Sequence, residues 1–190
     1  MPVSQDLSAT SYALLGLLVF DGGTGEALTG YELKQRADKT LRFYWVSPAM
    51  SQVYTELERL GRLQLVSVVS EHSGRRTTQR YRITEAGFER LQRWLLSSDV
   101  DFPILKHPVA LRLLMGGLMG PERVRVLLQG YLDQLTERRA DLVAVRTGLG
   151  DAEQVRYPAM VADWGLSYYD SEATLVRDLM AQLALVGENR

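Results

Sequence analysis

The sequence predicts a mainly α fold with one small β element (class α+β), and three features carry that prediction. Apolar residues recur at three- and four-residue spacing along most of the 190 residues, as in helices that bury one face. One stretch, Leu63 to Thr84, switches to a strand pattern. Beyond it, the second half has no strand pattern.

Residues 9–20 read as a short buried helix, punctuated by Asp21-Gly-Gly-Thr-Gly25. Thr29-Gly-Tyr-Glu32 fits a capping box, in which the threonine oxygen takes a backbone N–H and Glu32 reaches back, so a second helix is expected from Gly30 to Lys39. Ser47-Pro48 gives a further start signal, Ser as N-cap and Pro at the first helical position. The third helix then carries Met50, Val53, Leu57 and Leu60 as its core stripe. Leu63 to Val69 is β-rich, Glu71-His-Ser-Gly74 is read as a turn, and Gln79 to Thr84 alternates with Tyr81 and Ile83 on one face. Thr84-Glu-Ala-Gly87 opens a fourth helix bearing Phe88, Leu91, Trp94 and Leu95. Three helices followed by a hairpin is the element order of a winged helix-turn-helix with a two-stranded wing.

The second half predicts a helix with Leu111, Leu114, Met115 and Leu118 on one stripe, and a long helix from Pro121 to Leu149. After Tyr157-Pro158 a last helix sets Val161, Trp164, Tyr168, Leu175, Leu179, Leu183 and Val186 on one side. Long amphipathic helices without a sheet need another apolar surface. Pairing with a second copy of the chain supplies it, so a homodimer is expected. The expected division is a winged-helix DNA-binding domain at 1–98 and a helical dimerisation and effector domain at 99–190.

Composition narrows the function. Hydrophobic residues make up 46% and charged residues 24% of the chain, ordinary for a globular protein and unlike a disordered one. No cysteine is present, which excludes disulfides, thiolate chemistry and Cys-ligated metals. The longest apolar run, Ala13 to Phe20, is short of the ~20 residues of a membrane span. The opening Met-Pro-Val-Ser-Gln-Asp has neither a basic n-region nor a signal-type cleavage site. A cytoplasmic location is therefore expected. The net charge of −1 hides an uneven distribution: residues 1–95 carry +2 and residues 96–190 carry −3. Arg75, Arg76, Arg80 and Arg82 fall together without an acid among them, a stripe suited to phosphates.

Two segments resemble the PadR family of winged-helix transcriptional regulators. One is Trp45-Val-Ser-Pro-Ala-Met-Ser-Gln-Val-Tyr-Thr-Glu-Leu-Glu-Arg-Leu60, similar to the family's recognition helix at Tyr54, Leu57 and Arg59-Leu60. The other is Tyr81-Arg-Ile-Thr-Glu-Ala-Gly87 with the helix it opens, and Gly30-Tyr-Glu-Leu33 also fits. The match covers residues 9–95 well and the helical half in outline. Two positions depart from the pattern: Gly61 stands where the family often has a glutamate, and Gln64 where it usually has a glycine. The resemblance implies a homodimer on a palindromic operator, usually a repressor, often answering to a small aromatic or hydrophobic ligand.

On this reading Ser51, Gln52, Thr55 and Arg59 turn away from the core of the third helix, with the hydroxyl, amide and guanidinium groups that reach phosphates and base edges. Tyr54 sits at the margin, where a phosphate contact and packing are both open. Arg75, Arg76 and Arg80 serve the wing, Arg82 reads as a strand-surface charge, and Lys34 fits either a backbone contact or solvent. Glu58 is repelled by DNA unless it reads a cytosine amine. Trp94, Trp164 and Tyr168 are the ligand candidates, against simple core packing. His72 and His107 lack metal-like spacing and are assigned turn or surface roles. No nucleophile–base constellation appears, so no enzyme, cofactor or metal is expected. The alternative function is a winged-helix dimer that binds a protein partner and no DNA.

Overall fold

A computed structural model describes residues 7–19, 27–73, 76–97, 99–100, 102–103 and 106–188, without the side chains at 71–73, 76–77, 97 and 185–188. The chain divides into two compact units, Met1–Asp101 and Phe102–Arg190.

The first unit is built around α1 (Ala9–Val19). Tyr12, Leu14, Leu15, Leu17 and Leu18 are buried on it, since a helix apolar all round belongs in the middle of its unit. Its one fully buried polar side chain, Ser11, hydrogen-bonds to Glu56 and lies 2.9 Å from the Ser8 hydroxyl, so the polar group is satisfied.

α2 (Gly30–Thr40) starts at the expected capping box. The Glu32 amide donates to Thr29 Oγ1 at 3.1 Å and the Thr29 amide to Glu32 Oε2 at 2.8 Å. A short strand that sequence spacing could not reveal, β1 (Leu28–Thr29), leads into it.

α3 (Met50–Arg62) does not begin at Ser47-Pro48 as expected; Ala49 is the N-cap, and Gln52 Oε1 accepts its amide at 2.9 Å. Ser47 has another task. Its hydroxyl donates to Asp38 Oδ1 at 2.7 Å, tying the connecting segment to α2. Val53, Leu57 and Leu60 are fully buried beneath α3.

The end of α3 falls on the two departures from the family pattern. The Leu65 amide reaches Leu60 O at 3.0 Å and the Gln64 amide reaches Gly61 O at 2.9 Å. That is a Schellman closure, made with Gln64 at φ 57°, where glycine normally sits.

The wing strands are β2 (Val66–Ser73) and β3 (Arg76–Ile83). They are antiparallel from Val66↔Ile83 to Ser73↔Arg76, and β1 pairs with the other edge of β3. The hairpin is longer than expected: Glu71, His72 and Ser73, read as turn, are strand.

Thr84 then caps α4 (Glu85–Ser97), its Oγ1 accepting the Gly87 amide at 3.1 Å and donating to Gln64 O at 2.8 Å. A Cβ on Gly87 would stand 2.1 Å from Leu65 O. The Thr-Glu-Ala-Gly signal therefore encodes a helix start pressed against the first wing strand.

The second unit comprises α5 (Pro108–Leu114), α6 (Pro121–Leu149) and α7 (Arg156–Glu188). Val124, Leu128, Leu135 and Leu142 of α6 are buried, as are Ala159, Ala162 and Val176 of α7. Arg139 clasps Asp170 at 2.6 and 3.1 Å, and Arg146 meets Asp163 at 2.9 Å, fixing the register of the two long helices.

His107, assigned to a turn or the surface, is instead 13% exposed at its side chain. Its Nδ1 accepts the Ala110 amide at 3.1 Å as the α5 cap, and its Nε2 lies 3.0 Å from Tyr131 Oη and 3.3 Å from Glu172 Oε2. Burial, then Glu172, pushes the Tyr131 phenol far up. Among the described residues no helix is long and apolar enough to cross a membrane.

Candidate nucleic-acid interface

At about 100° per residue, the line on α3 opposite its buried Val53, Leu57 and Leu60 runs through Ser51, Thr55, Glu58 and Arg62. Those four are all on the surface. Gln52 flanks that line; its amide oxygen is held by the Ala49 amide, which fixes the direction of the side chain. Thr55 bonds back to Ser51 O at 2.9 Å. Tyr54 is half exposed and lies over the start of α2, where a Cβ on Gly30 would come within 2.6 Å of its ring. Gly30 is thus a packing requirement of Tyr54, so the family-like Gly-Tyr-Glu-Leu and Tyr54 signals report a single contact.

Cations expected on this surface are largely engaged within the unit. Lys34 pairs with Asp38 and lies 3.4 Å from the Ser47 hydroxyl, bracing the turn between α2 and α3. That Lys34 contact and the Ser47 bond hold the Asp38 carboxyl below the usual carboxylate range. Arg59 faces Glu56 at 3.7 Å. Arg80 reaches Ala27 O at 2.9 Å and Glu32 Oε2 at 3.3 Å, bracing the capping box from the wing. The Thr29 amide, above all, keeps the Glu32 carboxyl low, with Arg80 adding to it. Arg82 is exposed on β3. Arg75 lies outside the described residues, and so does the Arg76 side chain.

Sequence reading missed Arg62, which continues the outward line one turn past Glu58, and the exposed Trp45 and Val46 before α3. The signal for Arg62 was its seven-residue offset from Thr55.

The aromatic candidates separate. Trp94 packs against the core of the first unit, its ring stacked on Tyr12 at 4.5 Å and 7°. Trp164 and Tyr168 lie one turn apart on α7, 74% and 44% exposed. Among the described residues no group of His, Asp or Glu is placed to hold a metal.

A helix pair with a polar outward second helix, followed by an antiparallel wing, defines a winged helix-turn-helix protein of the DNA-binding class. Residues 23–93 match the transcriptional regulator PadR-like family, and residues 105–184 match the virulence activator alpha C-terminal region. Over residues 23–93 the chain thus carries a PadR-like transcriptional-regulator region, and it reads as a DNA-binding regulator rather than an enzyme.

Solved structures agree in fold. Bacillus subtilis PadR in complex with operator DNA matches with a TM-score of 0.81 at 20% identity, over 93% of this chain and 99% of that one. The same protein with p-coumaric acid matches at 0.72 and 20% identity, over 92% and 98%. The Vibrio cholerae virulence activator AphA matches at 0.71 and 19%, over 93% and 98%. No curated protein matches by sequence.

Proposed function

We propose that the chain is a cytoplasmic homodimeric repressor that binds a palindromic operator and is released by a small aromatic ligand. The observation that carries it is the outward face of α3, where Ser51 and Thr55 stand opposite a fully buried Val53, Leu57 and Leu60 and Gln52 flanks them. Hydroxyl and amide groups on a rigid helix suit base edges in a major groove. Arg76 begins the second wing strand, and with Arg75 beside it in sequence it is assigned to phosphates.

Dimerisation is assigned to the helical half, whose α7 exposes Tyr157, Met160, Trp164, Tyr168 and Leu175 along one side. Bacillus subtilis PadR has been solved with both operator DNA and p-coumaric acid, which supports an operator and a flat aromatic effector here. Trp164 with Tyr168 offers such a ligand an exposed aromatic pair, while Trp94, stacked on Tyr12, stays the weaker candidate.

The test is a salt-dependent titration on DNA fragments flanking the protein's own gene and on random-sequence DNA. Arg75→Ala with Arg76→Ala should weaken both kinds of DNA and flatten the log K against log salt slope by roughly two per subunit. Ser51→Ala and Gln52→Ala should each cost about 1–3 kcal/mol on the operator and leave random DNA unchanged. Failure of every fragment to bind, with the fold intact by circular dichroism, hands the lead to a protein-interaction role.

A further inference from the structure

The outward line of α3 ends in a charge pair that the operator reading does not use. Glu58 Oε1 lies 3.5 Å from Arg62 Nη1, with the side chains 72% and 69% exposed. Both sit on the same arc as Ser51 and Thr55, directly opposite the buried stripe.

The acid is therefore on the outward face of α3, the reading surface proposed above. The neighbouring cations do not cancel it. Arg59 faces Glu56 and Arg80 faces Glu32, while Arg62 is a largely exposed partner one turn away.

A carboxylate brought to a double helix meets a dense row of phosphates. Unit charges of like sign in water repel by about 1 kcal/mol at 4 Å, so an acid here lowers affinity for DNA in general. The repulsion is offset at a position that presents a hydrogen-bond donor in the major groove. Cytosine N4–H2 is such a donor, and carboxylates are its natural acceptors. A charge-assisted bond of this kind is stronger than a neutral one.

We propose that Glu58 is a specificity-determining residue, its carboxylate accepting from a cytosine amine in each half-site while Arg62 leaves it for the flanking phosphate. This rests on the DNA-binding reading above. Glu58 then acts by selection: it penalises every sequence and relieves the penalty at one. Arg62 supplies sequence-independent affinity at the edge of the groove. In free protein the pair holds both side chains near the surface they will contact, with the positive charge partly masked from non-specific DNA.

The experiment is selection and sequencing of a DNA pool with a randomised core, using the full chain and its Glu58→Ala, Glu58→Gln and Arg62→Ala variants. Wild type should enrich a motif with a C·G pair at one position per half-site. Glu58→Ala should lose the preference at that position alone, by roughly five- to 150-fold against the other base pairs, and bind random DNA more tightly. Glu58→Gln keeps the shape but not the charge; it should relax the same position and shed the repulsion. Arg62→Ala should bind all sequences more weakly and keep the C·G preference.

An unchanged motif in Glu58→Ala overturns the proposal and leaves the DNA reading standing. So does a loss of preference spread evenly over all positions. Wild-type protein that enriches no motif removes the DNA reading and the proposal together.

Discussion

α3 and α7 each bury one face within their own unit, and they differ in what they turn outward. α3 sets Val53, Leu57 and Leu60 inside and hydroxyl, amide and charged groups outside. α7 reverses the usual economy. Its fully covered positions are Ala159, Ala162 and Val176, with Leu179, Met180 and Leu183 packed part-buried toward α6, while Tyr157, Trp164, Tyr168 and Leu175 remain outside. Several of its largest side chains are therefore left for another surface. An outward polar face suits a hydrated polyanion, whereas an outward aromatic face calls for an apolar partner.

The largest expected effect breaks the α7 half of this contrast. Trp164→Glu with Leu175→Glu places two charges on the outer stripe and leaves Ala159, Ala162 and Val176 untouched. Light scattering should then report the 21.4 kDa chain mass in place of twice that value, with helix content preserved by circular dichroism. A double variant that remains a dimer would show that α7 turns its aromatic face to something other than a second copy.

How far this was legible in the sequence follows the same contrast. In α3 the three- and four-residue spacing identified the buried stripe, because large apolar residues were the ones inside. In α7 the same rule gathered Val161, Trp164, Tyr168, Leu175, Leu179, Leu183 and Val186 onto one side; the Val186 side chain lies outside the described residues, and the structure divides the others. Leu179 and Leu183 pack with α6 while Trp164, Tyr168 and Leu175 stay exposed. Alanine is weak in any hydrophobicity count, so the Ala159–Ala162 seam was silent.

The polar positions divide differently. Lys34, Arg59 and Arg80 were read as candidate DNA contacts from residue type and position; Lys34–Asp38 and Arg59–Glu56 are pairs three or four residues apart on one helix, whereas the Arg80–Glu32 pair is set by tertiary geometry. Ser47 carried a valid start signal that Asp38 captured. His107 caps the adjacent α5 locally, and its Tyr131 and Glu172 contacts come from helices further along the chain.

An intermediate effect sharpens the contrast between the inner faces. Leu57→Ala removes a fully buried side chain beneath α3 and should cost about 2–5 kcal/mol. Ala162→Leu adds bulk to the close seam of α7, where Ala162 is fully buried, and should cost about 1–3 kcal/mol. Urea unfolding of each variant measures both. If Ala162→Leu were neutral, the seam would have room for the larger side chain.

The smallest effect is a gain, and it concerns where α3 stops. Gln64 stands at φ 57°, the left-handed position of the Schellman closure that joins α3 to β2. A side chain there costs roughly 1–2 kcal/mol, and glycine relieves it while giving back ~0.5–1 kcal/mol through the flexibility of the unfolded chain. Gln64→Gly should therefore stabilise the protein by about 0.5–1 kcal/mol, read as a higher urea midpoint at unchanged slope. Operator affinity should stay constant, because the Leu65 amide, the Gln64 amide and Thr84 already hold this junction through backbone atoms that glycine retains. A variant that gained stability and changed its DNA affinity would mean that the Gln64 side chain, exposed between the reading helix and the wing, touches the DNA itself. A variant that lost stability would show that the glutamine makes a contact worth more than its strained backbone, and the departure from glycine at this position would then be a feature of this chain's own wing.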